Sequence, residues 1–166
     1  QSARLPVTVC LAARASDDVI ARALGSAGVS VLRCRRADEG MGGMLAEGVA
    51  QRREASSLVI ALGDMPLVAA PIVDALCRHW SPGAIVAPVG VEGRRGHPVL
   101  FDRQYFAELC ELGGDRGAAW LLGRSRERCV EVPVDDPGIY LDADTPEALE
   151  ALRAQLASRS SSGVSG

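Results

Sequence analysis

Ser57-Leu58-Val59-Ile60-Ala61-Leu62, followed at once by Gly63-Asp64-Met65-Pro66, is the stretch that decides the fold. The first six residues are an apolar run of strand length without the polar alternation of a half-wetted sheet. That is the pattern of a strand buried on both faces of a parallel sheet. Gly63 allows a tight turn at its end, and Pro66 fixes the exit and withholds an amide donor. In open α/β sheets ligands collect beyond the carboxyl ends of strands, where Asp64 stands. A carboxylate there suits Mg²⁺ held partly by protein and partly by phosphate oxygens. An Asx-turn or a helix-leading acid is the competing local reading.

Outward from this stretch, strand-like and helix-like segments alternate, as in an α/β sheet. Strands are expected at Val7–Ala12, Val29–Cys34, Ala84–Val89, Val99–Phe101 and Val130–Val134, with an extended return at Pro137–Leu141. Helices are expected through about Ala27 behind a Ser16-Asp17-Asp18 N-cap and first turn, and from about Met44 to Arg53, Pro71 to Trp80, Gln104 to Leu112, Arg116 to Arg124 behind an Asp115 cap, and Thr145 to Ala157. Arg35–Gly43 reads as a charged, glycine-rich loop. The length fits one domain over residues 1–157, with Ser158–Gly166 a disordered Ser/Gly tail.

Composition narrows the classes. A net charge of −3 gives no basic field for nucleic acid or anionic lipid. No apolar run reaches about 18 residues and no charged-then-apolar leader opens the sequence, so neither a membrane span nor a signal peptide is expected. The five cysteines are scattered without a C-x-x-C and read as small fillers in a reducing cytoplasm. All 18 basic residues are arginine. Within these residues there is no Walker A loop, Schiff-base lysine or receiver-domain lysine, and anions fall to arginine, backbone amides or a metal.

Four further stretches carry candidate chemistry. Leu141-Asp142-Ala143-Asp144-Thr145-Pro146-Glu147 follows the expected extended segment, which would put Asp142 and Asp144 on one face. Either could complete a metal site with Asp64, while Asp144 or Thr145 also suits the N-cap of the last helix. Arg94-Arg95-Gly96-His97-Pro98 sets two guanidiniums beside a glycine, able to bind a phosphate or a flat heterocycle; solvated arginines are the plain alternative. Glu39-Gly40-Met41-Gly42-Gly43-Met44 precedes a helix, where free amides favour an anion. It is not the dinucleotide fingerprint, which would need glycine where Leu45 stands, so a nicotinamide-dependent oxidoreductase has only the sheet in its favour. Gly113-Gly114-Asp115-Arg116-Gly117 is a similar loop, for which a helix cap is the simpler reading. No Ser-elbow motif supports acyl transfer in the folded region.

Taken in order, Glu39–Gly42, Leu62–Leu67, Gly93–Val99, Gly114–Ala118 and Asp142–Glu147 resemble the MobA-like nucleotidyltransferases over about Val7 to Leu152. Among these the set is most similar to the MocA type, the molybdenum cofactor cytidylyltransferases. The resemblance implies a Rossmann-like three-layer α/β/α fold with a mostly parallel sheet. It also implies transfer of CMP from CTP to molybdopterin carrying molybdenum, with release of pyrophosphate. Asp64 and Asp144 would be the catalytic acids, and Asp64, Asp142 and Asp144 the Mg²⁺ ligands. Gly40, Met41, Gly42, Gly63 and Asp115 would lie against the substrates, and Arg94, Arg95 and His97 would contact the pterin side. A recipient molybdoenzyme or its chaperone would be a transient partner.

One departure stands out. The family opens with a strand and a loop of the form L-A-A-G-x-S-x-R-x-G-x-x-K. Here Leu11-Ala12-Ala13 continues as Arg14-Ala15-Ser16-Asp17, without that glycine or lysine. This stretch therefore aligns with the family's second strand, and Gln1-Ser2-Ala3-Arg4-Leu5 fits the x-S-x-R part of the loop. The expectation is that the first strand, loop and helix lie outside residues 1–166. A protein truly without them would be a non-catalytic holder of the cofactor. Gly43-Met44, where many relatives carry serines, leaves the nucleotide and acceptor open.

Overall fold

The computed structural model describes residues 5–115 and 117–162, without the side chains of residues 15 and 159–162. The x-S-x-R stretch at residues 2–4, Arg116, and the last four residues of the expected tail lie outside the described residues. Two compact units are present, each assembled from two stretches of chain: residues 1–58 with 101–129, and residues 59–100 with 130–166.

In the first unit β1 (Thr8–Ala12) and β2 (Ser30–Cys34) pair in parallel, register Thr8↔Ser30 to Ala12↔Cys34, across helix α1 (Asp18–Ser26). Helix α2 (Met41–Ala50) packs on β1 and on α4 (Phe106–Cys110). The helix starts three residues earlier than its sequence suggests, and Arg35–Glu39 is a 3₁₀ turn rather than a loop. Glycine is a poor helix former, so composition alone pushes the start past Gly42 and Gly43. Packing overrides this: a Cβ at Gly43 would lie 2.4 Å from the Arg36 carbonyl oxygen, so glycine lets the helix press against the preceding turn. Another 3₁₀ turn, Arg103–Tyr105, precedes α4, and the buried Asp102 carboxylate accepts from the Gln104 amide at 3.0 Å. Helix α5 (Ala119–Arg124) has Ala118 at its N-cap, with no side-chain cap bond. Asp115 therefore does not cap this helix, a correction to the sequence reading, because the helix begins too far downstream.

The second sheet orders its strands β3 (Ser57–Ile60), β5 (Val99–Asp102), β4 (Ile85–Val89), β6 (Cys129–Pro133), and the fold is mixed α/β of the mostly parallel class. In the second unit Leu76, from α3 (Ala70–Arg78), meets Ala84, Val86, Leu100 and Val132 in an apolar core. His79 finishes α3, its Nδ1 bonding the Ala75 carbonyl at 2.8 Å. Pro137–Ile139 is a 3₁₀ turn, not an extended return, because the Asp136 carboxylate accepts from the Gly138 amide at 2.8 Å and bends the chain. Helix α6 runs from Pro146 to Ser162, five residues beyond the end read from sequence. Among the described residues no helix is long and apolar enough to cross a membrane.

Candidate active site

The sequence-derived site residues fall into two clusters, one in each unit. In the second unit the chain from Asp136 to Asp144 is pinned on two sides. Gly138 sits where a Cβ would approach the Leu67 carbonyl oxygen to 2.7 Å, and the Ala143 amide donates to the Asp64 carbonyl at 2.9 Å. On the other side the His97 amide donates to the Ile139 carbonyl at 2.9 Å. Gly96 packs so closely there that a Cβ would lie 2.6 Å from that same oxygen. One irregular segment thus holds the Asp64 turn, the Asp142-Ala143-Asp144 stretch and the Arg94–Pro98 loop together. Asp64, Asp142 and Asp144 are all exposed. Thr145 caps α6, its hydroxyl accepting from the Ala148 amide at 3.1 Å, which leaves the Asp144 carboxylate free of that task.

His97 precedes a cis peptide bond to Pro98. Its Nδ1 is buried and has no hydrogen-bond partner among the described residues. Burial holds the imidazole below the ordinary histidine range, and the nearby Asp64 carboxylate offsets part of that shift. The shift favours the neutral imidazole, whose enclosed Nδ1 has no partner among the described residues.

The two arginines of the loop differ. Arg95 is paired with Glu131 at 2.8 Å. The Arg94 guanidinium lies 4.0 Å from the centre of the Tyr140 ring and has no carboxylate partner among the described residues. Tyr140 holds this arginine by its ring and by its hydroxyl, which donates to the Arg94 carbonyl and itself accepts from the Gly90 amide at 2.9 Å. Gly90 is needed there, since a Cβ would come within 2.6 Å of that hydroxyl. The sequence reading missed Tyr140; only its place just before Leu141-Asp142 hints at it.

In the first unit Gly40, with φ 91°, caps α2 and faces the second glycine loop. A Cβ on Gly40 would lie 2.7 Å from Asp115 Oδ1 and 2.7 Å from the Gly114 carbonyl oxygen. The Gly42 amide donates to that Gly114 oxygen at 2.9 Å, and Gly117 lies against Met41. Arg36 braces the arrangement, donating to Glu39 at 2.7 and 3.0 Å and to the Leu112 carbonyl at 3.0 Å. That ion pair raises the Arg36 pKa and lowers that of Glu39. Gly40, Met41, Gly42 and Asp115 are thus brought together in space. Gly63 stands in the Asp64 turn, with open space where a Cβ would be.

The site residues of the second unit include three exposed carboxylates, Asp64, Asp142 and Asp144, and an Arg94 guanidinium without a carboxylate partner among the described residues, a set that repels a triphosphate unless a cation intervenes. Among the described residues no three His, Cys, Asp or Glu side chains form a closed metal cage. Mg²⁺ asks for no cage: one or two carboxylates with waters and phosphate oxygens complete its shell. The donor set therefore fits a hard divalent cation bound together with its substrate.

The family model of the MobA-like NTP transferase domain matches residues 2–131. The chain belongs to that family. Nucleotidyl transfer is the activity class of this MobA-like domain. Solved structures agree. Rv0371c from Mycobacterium tuberculosis H37Rv, described in complex with manganese, is 25% identical at TM-score 0.73, covering 91% of this chain and 78% of its own. Its homologue from Mycobacterium sp. strain JC1 is 26% identical at TM-score 0.65, over 82% of this chain and 71% of that one. A nucleotidyl transferase from Methanothermobacter (Mth528), 16% identical at TM-score 0.71 over 86% and 69%, shares the fold. No curated protein sequence matches the chain.

Proposed function

We propose that this MobA-like domain transfers CMP from CTP to molybdopterin carrying molybdenum and releases pyrophosphate. The observation that carries the reading is the pinned Asp136–Asp144 segment. It sets Asp64 and the Asp142-Ala143-Asp144 stretch beside a loop presenting a neutral His97 and a stacked, unpaired Arg94. An oxygen of the acceptor's terminal phosphate attacks the α-phosphorus of CTP. The new P–O bond forms as the bond to the β-phosphate bridging oxygen breaks, and pyrophosphate leaves with that electron pair. The nucleophile is already an anion, so no side chain has to remove a proton; positioning and charge neutralisation suffice.

A divalent cation, Mg²⁺ or Mn²⁺, would be held by Asp64 with Asp142 or Asp144 and would neutralise phosphate charge. The manganese complex of Rv0371c supports a divalent ion of this kind. Arg94, 4.0 Å from the centre of the Tyr140 ring, would offer its donors to phosphate or to the pterin ring, and the His97 side chain would contact the pterin side of the acceptor. In the first unit Gly40, Met41, Gly42 and Asp115, pressed together, would lie against substrate. Residues 1–157 act as one catalytic domain in the cytoplasm, and the product passes to a recipient molybdoenzyme or its chaperone.

The test is pyrophosphate release by purified protein with Mg²⁺ and CTP, GTP or ATP, with and without molybdopterin. CTP should be the preferred donor, and release should require the acceptor. Preference for GTP or ATP would reassign the nucleotide, and no release with any of them would end the reading. A second reading is a non-catalytic holder of the cofactor, which would use the Arg94–Pro98 loop for binding alone. Tight pterin binding without nucleotide affinity would support it, and ordinary CTP binding would eliminate it.

A further inference from the structure

The turn that presents Arg94 closes on itself. After β4 the chain reverses through Gly90-Val91-Glu92-Gly93, with Val91 at its tip 88% exposed and Gly93 at φ 72°. The Gly93 amide donates to the Gly90 carbonyl at 2.9 Å, and the Gly90 amide donates to the Arg94 carbonyl at 3.2 Å. Below this neck Val89 and Arg95 form an antiparallel bridge. The backbone of the turn is thus paired without help from elsewhere. The Tyr140 hydroxyl nevertheless enters the same neck, donating to the Arg94 carbonyl and accepting from the Gly90 amide. Tyr140 itself is fixed from both sides. The Ile139 carbonyl before it accepts from His97, and the Ala143 amide after it donates to Asp64, both at 2.9 Å.

The ring of the same residue lies against the Arg94 guanidinium, 4.0 Å from ring centre to Cζ. Tyr140 is half-buried and Arg94 is exposed. An exposed arginine samples many rotamers and loses that freedom when a ligand fixes it, which weakens binding. A contact with an aromatic ring removes part of this loss in advance. It also consumes none of the five N–H donors of the guanidinium, and no hydrogen bond or ion pair takes them among the described residues. Arg95, one residue on, shows the contrast, because its guanidinium is committed to Glu131 at 2.8 Å.

We propose that Tyr140 is a positioning residue for the acceptor: it preorganises Arg94, by its ring on the guanidinium and its hydroxyl on the backbone, to bind an anionic group of the acceptor. Tyr140 touches no substrate and acts only through Arg94. The inference rests on the reading of Arg94 as an acceptor contact. The two parts of the side chain separate by substitution. Tyr140→Phe removes the hydroxyl and keeps the ring, and the Gly90 amide and Arg94 carbonyl still have each other, so no buried polar group is orphaned. Tyr140→Leu removes both parts.

Steady-state kinetics with CTP and molybdopterin test it, on the purified protein, the two Tyr140 variants, Arg94→Gln and the double variants. Tyr140→Phe should raise the KM for molybdopterin about 3-fold and Tyr140→Leu about 10-fold, with kcat and the KM for CTP within about twofold. In the Arg94→Gln background the Tyr140 substitutions should add less than about twofold, because a residue acting through Arg94 has nothing left to act on. Should Tyr140→Leu fail to fold, Tyr140→Phe carries the cycle. The Arg94 Nε–H proton resonance gives a readout apart from turnover: the Tyr140 ring should displace it in the parent and in Tyr140→Phe, and Tyr140→Leu should return it to the free-arginine position. Three results would overturn the proposal: Tyr140 effects undiminished in the Arg94→Gln background, equal rises in KM for CTP and molybdopterin, or an Arg94 resonance indifferent to Tyr140→Leu. Absence of pyrophosphate release with every nucleotide would instead end the catalytic reading. The same cycle read in affinity for molybdopterin then decides: non-additive losses support the positioning role, and additive losses or no binding overturn it.

Discussion

Gly96 is the residue on which the pinned segment turns most directly, because the Ile139 carbonyl occupies the place of its missing Cβ. Gly96→Ala should cost about 1–3 kcal/mol as an overpacking substitution, read from denaturant midpoints. Gly63→Ala, with open space around the same atom and no positive φ, should fall within about 0.5 kcal/mol of the parent. Equal losses at both would remove the distinction. His97 makes a second prediction at this scale. Its folded pKa lies below the ordinary value of 6.5, so the unfolded chain binds the proton more readily. The neutral imidazole's share of stability is present above pH 6.5 and is lost as the pH falls from there through the lower folded value. Thermal melts of the parent should fall more steeply below pH 6.5 than those of His97→Gln, and parallel curves would contradict the assignment.

At the scale of elements, Thr145 and Asp144 separate two roles that adjacent positions in the sequence confuse. Thr145 is the cap of α6. Thr145→Ala should therefore lose about 1 kcal/mol of stability with little change in turnover. Asp144→Ala should leave the melting temperature near that of the parent and weaken metal-dependent turnover. The reverse pattern would assign the cap and the ligand the other way round. The sequence left this choice open because both residue types cap helices and only the Ala148 amide distinguishes them. The glycines of α2 were misread for a related reason: propensity reports the cost of glycine in a helix, while the Arg36 carbonyl that requires it comes from packing. Asp136-Pro137-Gly138 was read as extended, although the Asp side chain turns it. The strands were more legible, since apolar runs of that length admit few other structures, and β3, β4 and β5 start within a residue of their expected places.

Across the whole molecule, the loops that carry the family resemblance could be ordered along the chain, but their spatial partners could not. Arg95 and Glu131 are 36 residues apart, and nothing local in either predicts their pair. Arg94 and Arg95 look equivalent in sequence, yet one stacks on Tyr140 and the other is held by a carboxylate. The backbone hydrogen bond that ties the Asp64 turn to the Asp142-Ala143-Asp144 stretch underlies the central claim. We propose that the carboxylates of Asp64, Asp142 and Asp144 act through a divalent cation on a nucleoside triphosphate. Without the cation they repel the substrate, so chelation should abolish turnover, and either Mg²⁺ or Mn²⁺ should restore it.

The most direct measurement is pyrophosphate released from CTP in the presence of molybdopterin by the purified protein and its Asp64→Asn variant, with their melting temperatures compared. The account predicts metal-dependent release by the parent and a loss on the order of 100-fold or more in an equally stable variant. Undiminished release by Asp64→Asn, or release by the parent that survives chelation, would contradict it.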